Sequence, residues 1–246
     1  MCHNVFMNLQ EALEKHLEKS PAAINGKMFN RILIYSNELI EKNRQFNLTA
    51  ITAPEEVAVK HILDSVHLFG AMGKEKPSSL ADAGTGAGLP GIVAAILDEN
   101  IKVTLIESNG KKANFLKDVI KKLELKNASV IQDRCEICSR DKKLRQKFSA
   151  VTMRAFAEFK TAMELTSPLC ALKGKIYYFA SADQVKEIKS DGNIYNELKL
   201  KFENIYDYTL PLDLGKRHIV ILSRTGDTPN CYPRTFQKIK IKPISF

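Results

Sequence analysis

The chain has 246 residues, 44% of them hydrophobic and 26% charged, with a net charge of +9. That length and composition suit one α/β domain with a small extension and exclude disorder throughout. No apolar run is long enough to span a bilayer. The charge leaves two readings open: a polyanionic partner, or a Lys-rich protein without one.

The chain starts MCHNVFMNLQEALEKHLEKS, with no basic stretch leading into an apolar block, so the expected location is the cytoplasm. Leu9, Leu13, His16 and Leu17 share one face of a first helix over 8–19. A second amphipathic helix covers 27–43, and FNLTAI follows it. Thr52, Pro54, Glu55 and Glu56 open a third helix that runs to about Met72. After a polar linker the pattern changes. Strands are expected at SSLADA, IKVTLIE, ASVIQD, FSAVTM and GKIYYFA, separated by helices. KLKFENIYDYTL and RHIVILS, separated by PLDLGK, form a closing hairpin. The expected organisation is a helical extension over 1–76, a sheet domain over 77–224, and a basic tail over 225–246. Alternating strands and helices imply a mostly parallel seven-stranded sheet, covered on both faces, with an antiparallel end. The five cysteines, Cys2, Cys135, Cys138, Cys170 and Cys231, are odd in number and scattered, so no disulfide framework is expected. Cys135 and Cys138 form a C-x-x-C without the further ligands zinc needs, and no metal is expected.

The stretch LADAGTGAGLPG places Asp82 ahead of Gly84, Gly86, Gly88 and Gly91. In a doubly wound sheet this loop faces the ligand, and glycines let the backbone approach it. A phosphate-binding P-loop needs a Lys after the last glycine, and none follows. The dinucleotide pattern G-x-G-x-x-G fails at Leu89. Glu107 ends the next strand, at the place where a carboxylate holds adenosine ribose hydroxyls. It does not separate NAD from S-adenosylmethionine. Asp82 favours the second, because a carboxylate repels a pyrophosphate and attracts a sulfonium or ammonium.

ADAGTGAGLPGI, LIESNGKKANFL and VTMRAFA together resemble the bacterial small-subunit rRNA methyltransferase G family. FNLTAIT and EEVAVKHILDS fit the same resemblance, which covers roughly residues 28–243. It implies a Rossmann-like, S-adenosyl-L-methionine-dependent enzyme that methylates N7 of one guanine in 16S rRNA, on naked RNA or the small ribosomal subunit. It also implies cofactor contacts at Gly84, Leu89, Cys135, Glu136 and Arg154. Asp82, Gly86, Gly88 and Glu107 join them from the loop argument. Cys135 stands where the family has a small apolar residue, Glu107 where it more often has Asp, and Ser149-Ala150 where it has an Asp.

N7 of guanine carries a free lone pair, so methylating it needs no general base. The sequence has neither the Pro-Pro loop of amine methylation nor the Pro-Cys of pyrimidine C5 methylation. Arg154 is the expected positioning residue, through O6 of the base or through the cofactor. Phe156 either stacks a base or packs in the core; His61 and Asp64 brace the helical part or touch substrate. Arg234, Lys238, Lys240 and Lys242, in a tail end without acids, are the candidate RNA phosphate contacts. The basic run RDKKLRQK (140–147) has no expected role. Two other functions compete, a nicotinamide-dependent oxidoreductase and a non-catalytic RNA-binding assembly factor. Nothing demands more than a monomer.

Overall fold

The computed structural model describes residues 7–190 and 192–244; Cys2, Ser245 and Phe246 lie outside them. Helix α1 (Leu9–Leu17) opens on a reciprocal cap, in which the Asn8 side chain and the Glu11 carboxylate each accept the other's amide. Its apolar face buries Leu9, Ala12, Leu13 and Leu17, and His16 reaches Glu55 at 3.0 Å. Helix α2 (Gly26–Asn43) is capped by Asn25. At its far end Asn43 accepts the amides of Leu48 and Thr49, which fixes the FNLTAI loop. The expected third helix is three joined pieces: α3 (Pro54–Glu56), a π-helical stretch Val57–Leu63, and α4 (Asp64–Met72). The widened turns carry Lys60 and His61.

The strands are β1 (Ser79–Ala83), β2 (Lys102–Ile106), β3 (Ala128–Ile131), β4 (Phe148–Met153), β5 (Cys170–Ala180), β6 (Leu200–Thr209) and β7 (Lys216–Arg224). They form one sheet in the order β3-β2-β1-β4-β5-β7-β6. β1 to β5 run parallel, and β7 lies antiparallel between β5 and β6. The order reverses at β1, whose two neighbours are β2 and β4. A crevice therefore opens beyond the carboxyl ends of β1 and β4.

Alternate residues of each strand serve two cores. Leu80, Val103, Leu105, Ala150 and Tyr177 face α1, α2, α4, α5 (Gly91–Leu97) and α6 (Gly110–Lys122). Ala81, Ile106, Val151, Ile176 and Tyr178 face α7 (Cys135–Cys138), α8 (Phe159–Thr166), α9 (Ala182–Ser190) and α10 (Gly192–Leu198). The N-terminal helices thus share a core with the sheet. The tail does too: it contains α11 (Phe236–Ile241), and Ile239 and Ile244 are buried in the second core.

Candidate active site

The glycine loop is held from two sides by carboxylates. Asp82, fully buried, accepts the Thr85 hydroxyl and, at 2.8 Å, the Gly91 amide at the start of α5. Burial pushes its carboxyl up to about 6, against the pull of those two donors. Asp82 lines no part of the crevice. Its carboxylate is turned inward, toward the loop's own donors, and shapes the loop from beneath. Glu107 approaches from the crevice side. Its Oε2 accepts the Gly86 amide at 2.9 Å and its Oε1 the Asn109 amide at 2.7 Å. A carboxylate has about four acceptor sites, so two remain for a ligand. Gly88 sits at φ +103°, and a Cβ there would lie 2.6 Å from Ile92 and 2.8 Å from Leu116. It serves close packing of loop against helices, whereas Gly84 and Gly86 line the crevice.

The crevice has two halves. One, of about 440 Å³, is lined by Gly84, Glu107, Ser108, Cys135, Glu136 and Phe236 among others. The other, of about 380 Å³, is lined by Thr49, His61, Gly86, Leu89, Glu107 and Arg154. Phe156 belongs to both and divides them. After β4 the chain turns at Ala155, φ +51°, and lays the Phe156 ring on the Gly84 backbone. A Cβ on Gly84 would stand 2.1 Å from that ring, so this contact requires glycine.

Arg154 closes the second half. Its Nη1 donates to the Lys60 carbonyl at 2.9 Å and to Asp64 at 2.7 Å. The other Asp64 oxygen accepts the Tyr208 hydroxyl, and the Tyr208 ring stacks on His67 at 4.0 Å. Asp64 therefore braces the helical arm against both β4 and β6. His61 bonds Thr49 at 2.8 Å, and burial together with Arg154 holds its pKa near 4, so it is neutral at pH 7. Cys135 and Cys138 are buried thiols; burial pushes the first far above its usual range and the second up to about 11.

The tail supplies a wall that the sequence reading missed. Phe236 lines the first half-cavity, with the Arg134 guanidinium 5.2 Å from its ring centre, and Lys240 lines it as well. Arg140 donates to the Pro233 carbonyl, and Arg145 to those of Thr228 and Tyr232. The basic run 140–147 thus clamps the tail. Arg234, expected at RNA phosphate, instead makes a two-pronged pair with Glu164 at 2.8 and 2.6 Å. Glu164 is fully buried, and a buried carboxylate needs a bonded cation. Lys238, Lys240 and Lys242 remain the exposed cations of this segment. Phe236 had a visible signal, a lone aromatic in the run TFQKIKIK, but nothing local tied it to the crevice.

The model of a family described as rRNA small subunit methyltransferase G matches residues 28–220. A ribosomal RNA small subunit methyltransferase G of Clostridium botulinum (strain Eklund 17B / Type B) is 35% identical over 221 residues, which are 90% of this chain and 92% of that one. The protein of the same name from Clostridium perfringens (strain SM101 / Type A) is 31% identical over 97% of this chain and 100% of its own. That from Desulforamulus reducens is 37% identical over 86% of this chain and 88% of its own.

Proposed function

The chain belongs to the rRNA small subunit methyltransferase G family, and from that membership we propose that it moves a methyl group from S-adenosylmethionine to N7 of one guanine in 16S rRNA. It acts as a cytoplasmic monomer, on the small subunit or its RNA. One observation carries the cofactor reading: Glu107 bonds the glycine loop with half of its acceptor sites and keeps the rest at the crevice. Two free acceptor sites suit the paired hydroxyls of an adenosine ribose. A dinucleotide fits less well. Its pyrophosphate takes the free amides at the first turn of the helix after β1. Here the Gly91 amide already donates to Asp82, whose carboxylate repels phosphate.

In this reading Gly84 and Gly86 form the floor under the cofactor, and Leu89 meets it at the loop's far edge. Cys135 and Glu136 flank the adenine, beside Phe236 of the tail. Asp82 and Gly88 hold the loop in shape. The bound cofactor supplies an activated methyl carbon on a sulfonium. The protein's task is to hold the acceptor nitrogen in line with that carbon. N7 attacks with its own lone pair, so no side chain has to take a proton. His61, the histidine of this crevice, fits that: burial holds its pKa near 4, which makes it a weak proton acceptor. Arg154 orients the acceptor. Its Nη1 is committed to Lys60 and Asp64, which leaves Nε and Nη2 to donate to guanine O6 or to the cofactor. Phe156, half-buried between the two halves, offers a face to a base drawn out of its stack.

The test is methyl transfer from labelled S-adenosylmethionine to unmodified small subunits, with transfer RNA as control and nuclease digestion of the product. 7-Methylguanosine confined to 16S rRNA is expected. Cofactor binding without label in any RNA would move the chain to another acceptor or to an assembly role.

A further inference from the structure

A third cavity, of about 310 Å³, lies on the other side of the Arg154–Ala155 corner from the cofactor crevice and shares both residues with it. Lys60 and Asp64 line it from the helical arm, Tyr208 from β6, and Arg217 and His218 from β7. The topology explains why Arg217 and His218 stand here. β7 runs against the parallel strands, and His218 pairs with Ala180 at the end of β5. The first residues of β7, Lys216-Arg217-His218, therefore lie at the edge of the sheet where the crevice opens.

Arg217 is half-buried and has no hydrogen-bond or ion-pair acceptor among the described residues. The other arginines differ. Arg31, Arg134, Arg154, Arg224 and Arg234 each hold a carboxylate, and Arg140 and Arg145 hold tail carbonyls. Among the described residues only Arg44 shares the lack of an acceptor, and it is exposed on the surface. Asp64, the carboxylate of this cavity, bonds Arg154 and Tyr208 and makes no bond to Arg217. His218 gives Nδ1 to Asp207, and its Nε2 is buried without a partner. A permanently charged fork, partly removed from water and left without an anion, is arranged for an anion that arrives from outside.

We propose that this cavity takes a backbone phosphate of the RNA strand next to the methylated guanosine, with Arg217 as its two-pronged donor; Lys60, at the same wall, is already paired with Glu56 and adds only its nearby charge. The proposal rests on the RNA-methyltransferase reading above. A nucleotide whose base enters the crevice leaves its sugar-phosphate at the rim, and the rim beyond Arg154 is this cavity. Guanidinium is the side chain best matched to phosphate, and such contacts set register rather than sequence.

The experiment compares wild type, Arg217→Gln and Arg217→Lys in three measurements. These are RNA affinity across a salt series, steady-state methylation of small subunits, and calorimetric binding of S-adenosylmethionine. Arg217→Gln should weaken RNA binding and raise KM for subunits by roughly tenfold. It should also lower the slope of log affinity against log salt by about one. Arg217→Lys should recover part of the affinity, with thermal stability and cofactor binding at wild-type values in both variants. Wild-type RNA affinity and salt slope in Arg217→Gln, alongside an active wild type, would overturn the phosphate site alone. Loss of cofactor affinity with RNA affinity retained would overturn it too, and give the cavity to the cofactor. A wild type that binds S-adenosylmethionine but neither binds nor methylates RNA would overturn the functional reading itself, and this proposal with it.

Discussion

Asp82 and Glu107 both grip the glycine loop by an amide, yet their surroundings give them different chemistry. Glu107 keeps acceptor capacity at the crevice, whereas Asp82 is enclosed, and its Oδ1 has no partner. Burial holds the Asp82 carboxyl at about 6 against an ordinary 3.8. The folded protein therefore binds this proton more tightly than the unfolded chain does. Its charged form weakens the fold, and the weakening grows as pH rises from about 4 to about 6. The full gap is about 3 kcal/mol. Asp82→Asn removes the titration, so urea stability of wild type minus that of the variant should fall by up to that amount between about pH 4 and about pH 7. A difference that stays flat over this range would show an ordinary aspartate. Arg154 joins two roles that one substitution confounds. Arg154→Ala leaves Asp64 largely buried with only Tyr208 as donor, at a cost of about 3 kcal/mol. Adding Asp64→Asn should return most of that stability while turnover stays at least a hundredfold down, as expected for a group that orients the acceptor. Recovery of turnover along with stability would reduce Arg154 to a brace.

Elements were legible in the sequence where their signal is local. Asn8, Asn25 and Pro54 mark helix starts within a residue or two, and each stretch expected as a strand is one. The tail helix was not legible: KIKIK alternates with the period of a strand, and α11 is only six residues long. Its docking was hidden for another reason, since Arg234 and Glu164 lie 70 residues apart and no spacing rule joins them. The same holds for Arg154 and Asp64, 90 apart. The loop motif and the acid after β2 could therefore be found from sequence, but the partners that fix Arg154 and the wall made by Phe236 could not. That wall can be tested apart from its anchor. Arg234→Met strands the buried Glu164 charge, and thermal unfolding should show a loss of about 3–5 kcal/mol. Phe236→Ala touches only the cavity lining, so stability should hold while the dissociation constant for S-adenosylmethionine rises several-fold. Unchanged cofactor affinity in Phe236→Ala would mean that the tail merely covers the second core.

On the scale of the whole molecule, the helical arm is part of the site because it packs on the sheet face under the glycine loop. Tyr35 of α2 donates to the Ala87 carbonyl at 2.8 Å, and α4 meets β6 through His67 and Tyr208. The arm carries the pH sensitivity of this junction. Burial lowers both His61 and His67 to about 4 from 6.5, so both are neutral in the folded protein at pH 7. Between about 6.5 and about 4 the unfolded chain binds their protons and the folded one does not, so stability falls as pH falls through that range. Asp82 acts in the opposite sense over part of it, and the two histidines outnumber it. The junction between arm and sheet should therefore loosen first on acidification, with amide exchange rising over 54–72 before it rises in β1 to β5. His67→Phe keeps a ring against Tyr208 and cannot be protonated. It should flatten the acid loss of stability relative to wild type and delay that exchange to lower pH. If the variant loses stability as steeply as wild type, the acid response comes from elsewhere in the fold. The arm would then be joined to the sheet by the Arg154–Asp64–Tyr208 contacts without a histidine switch.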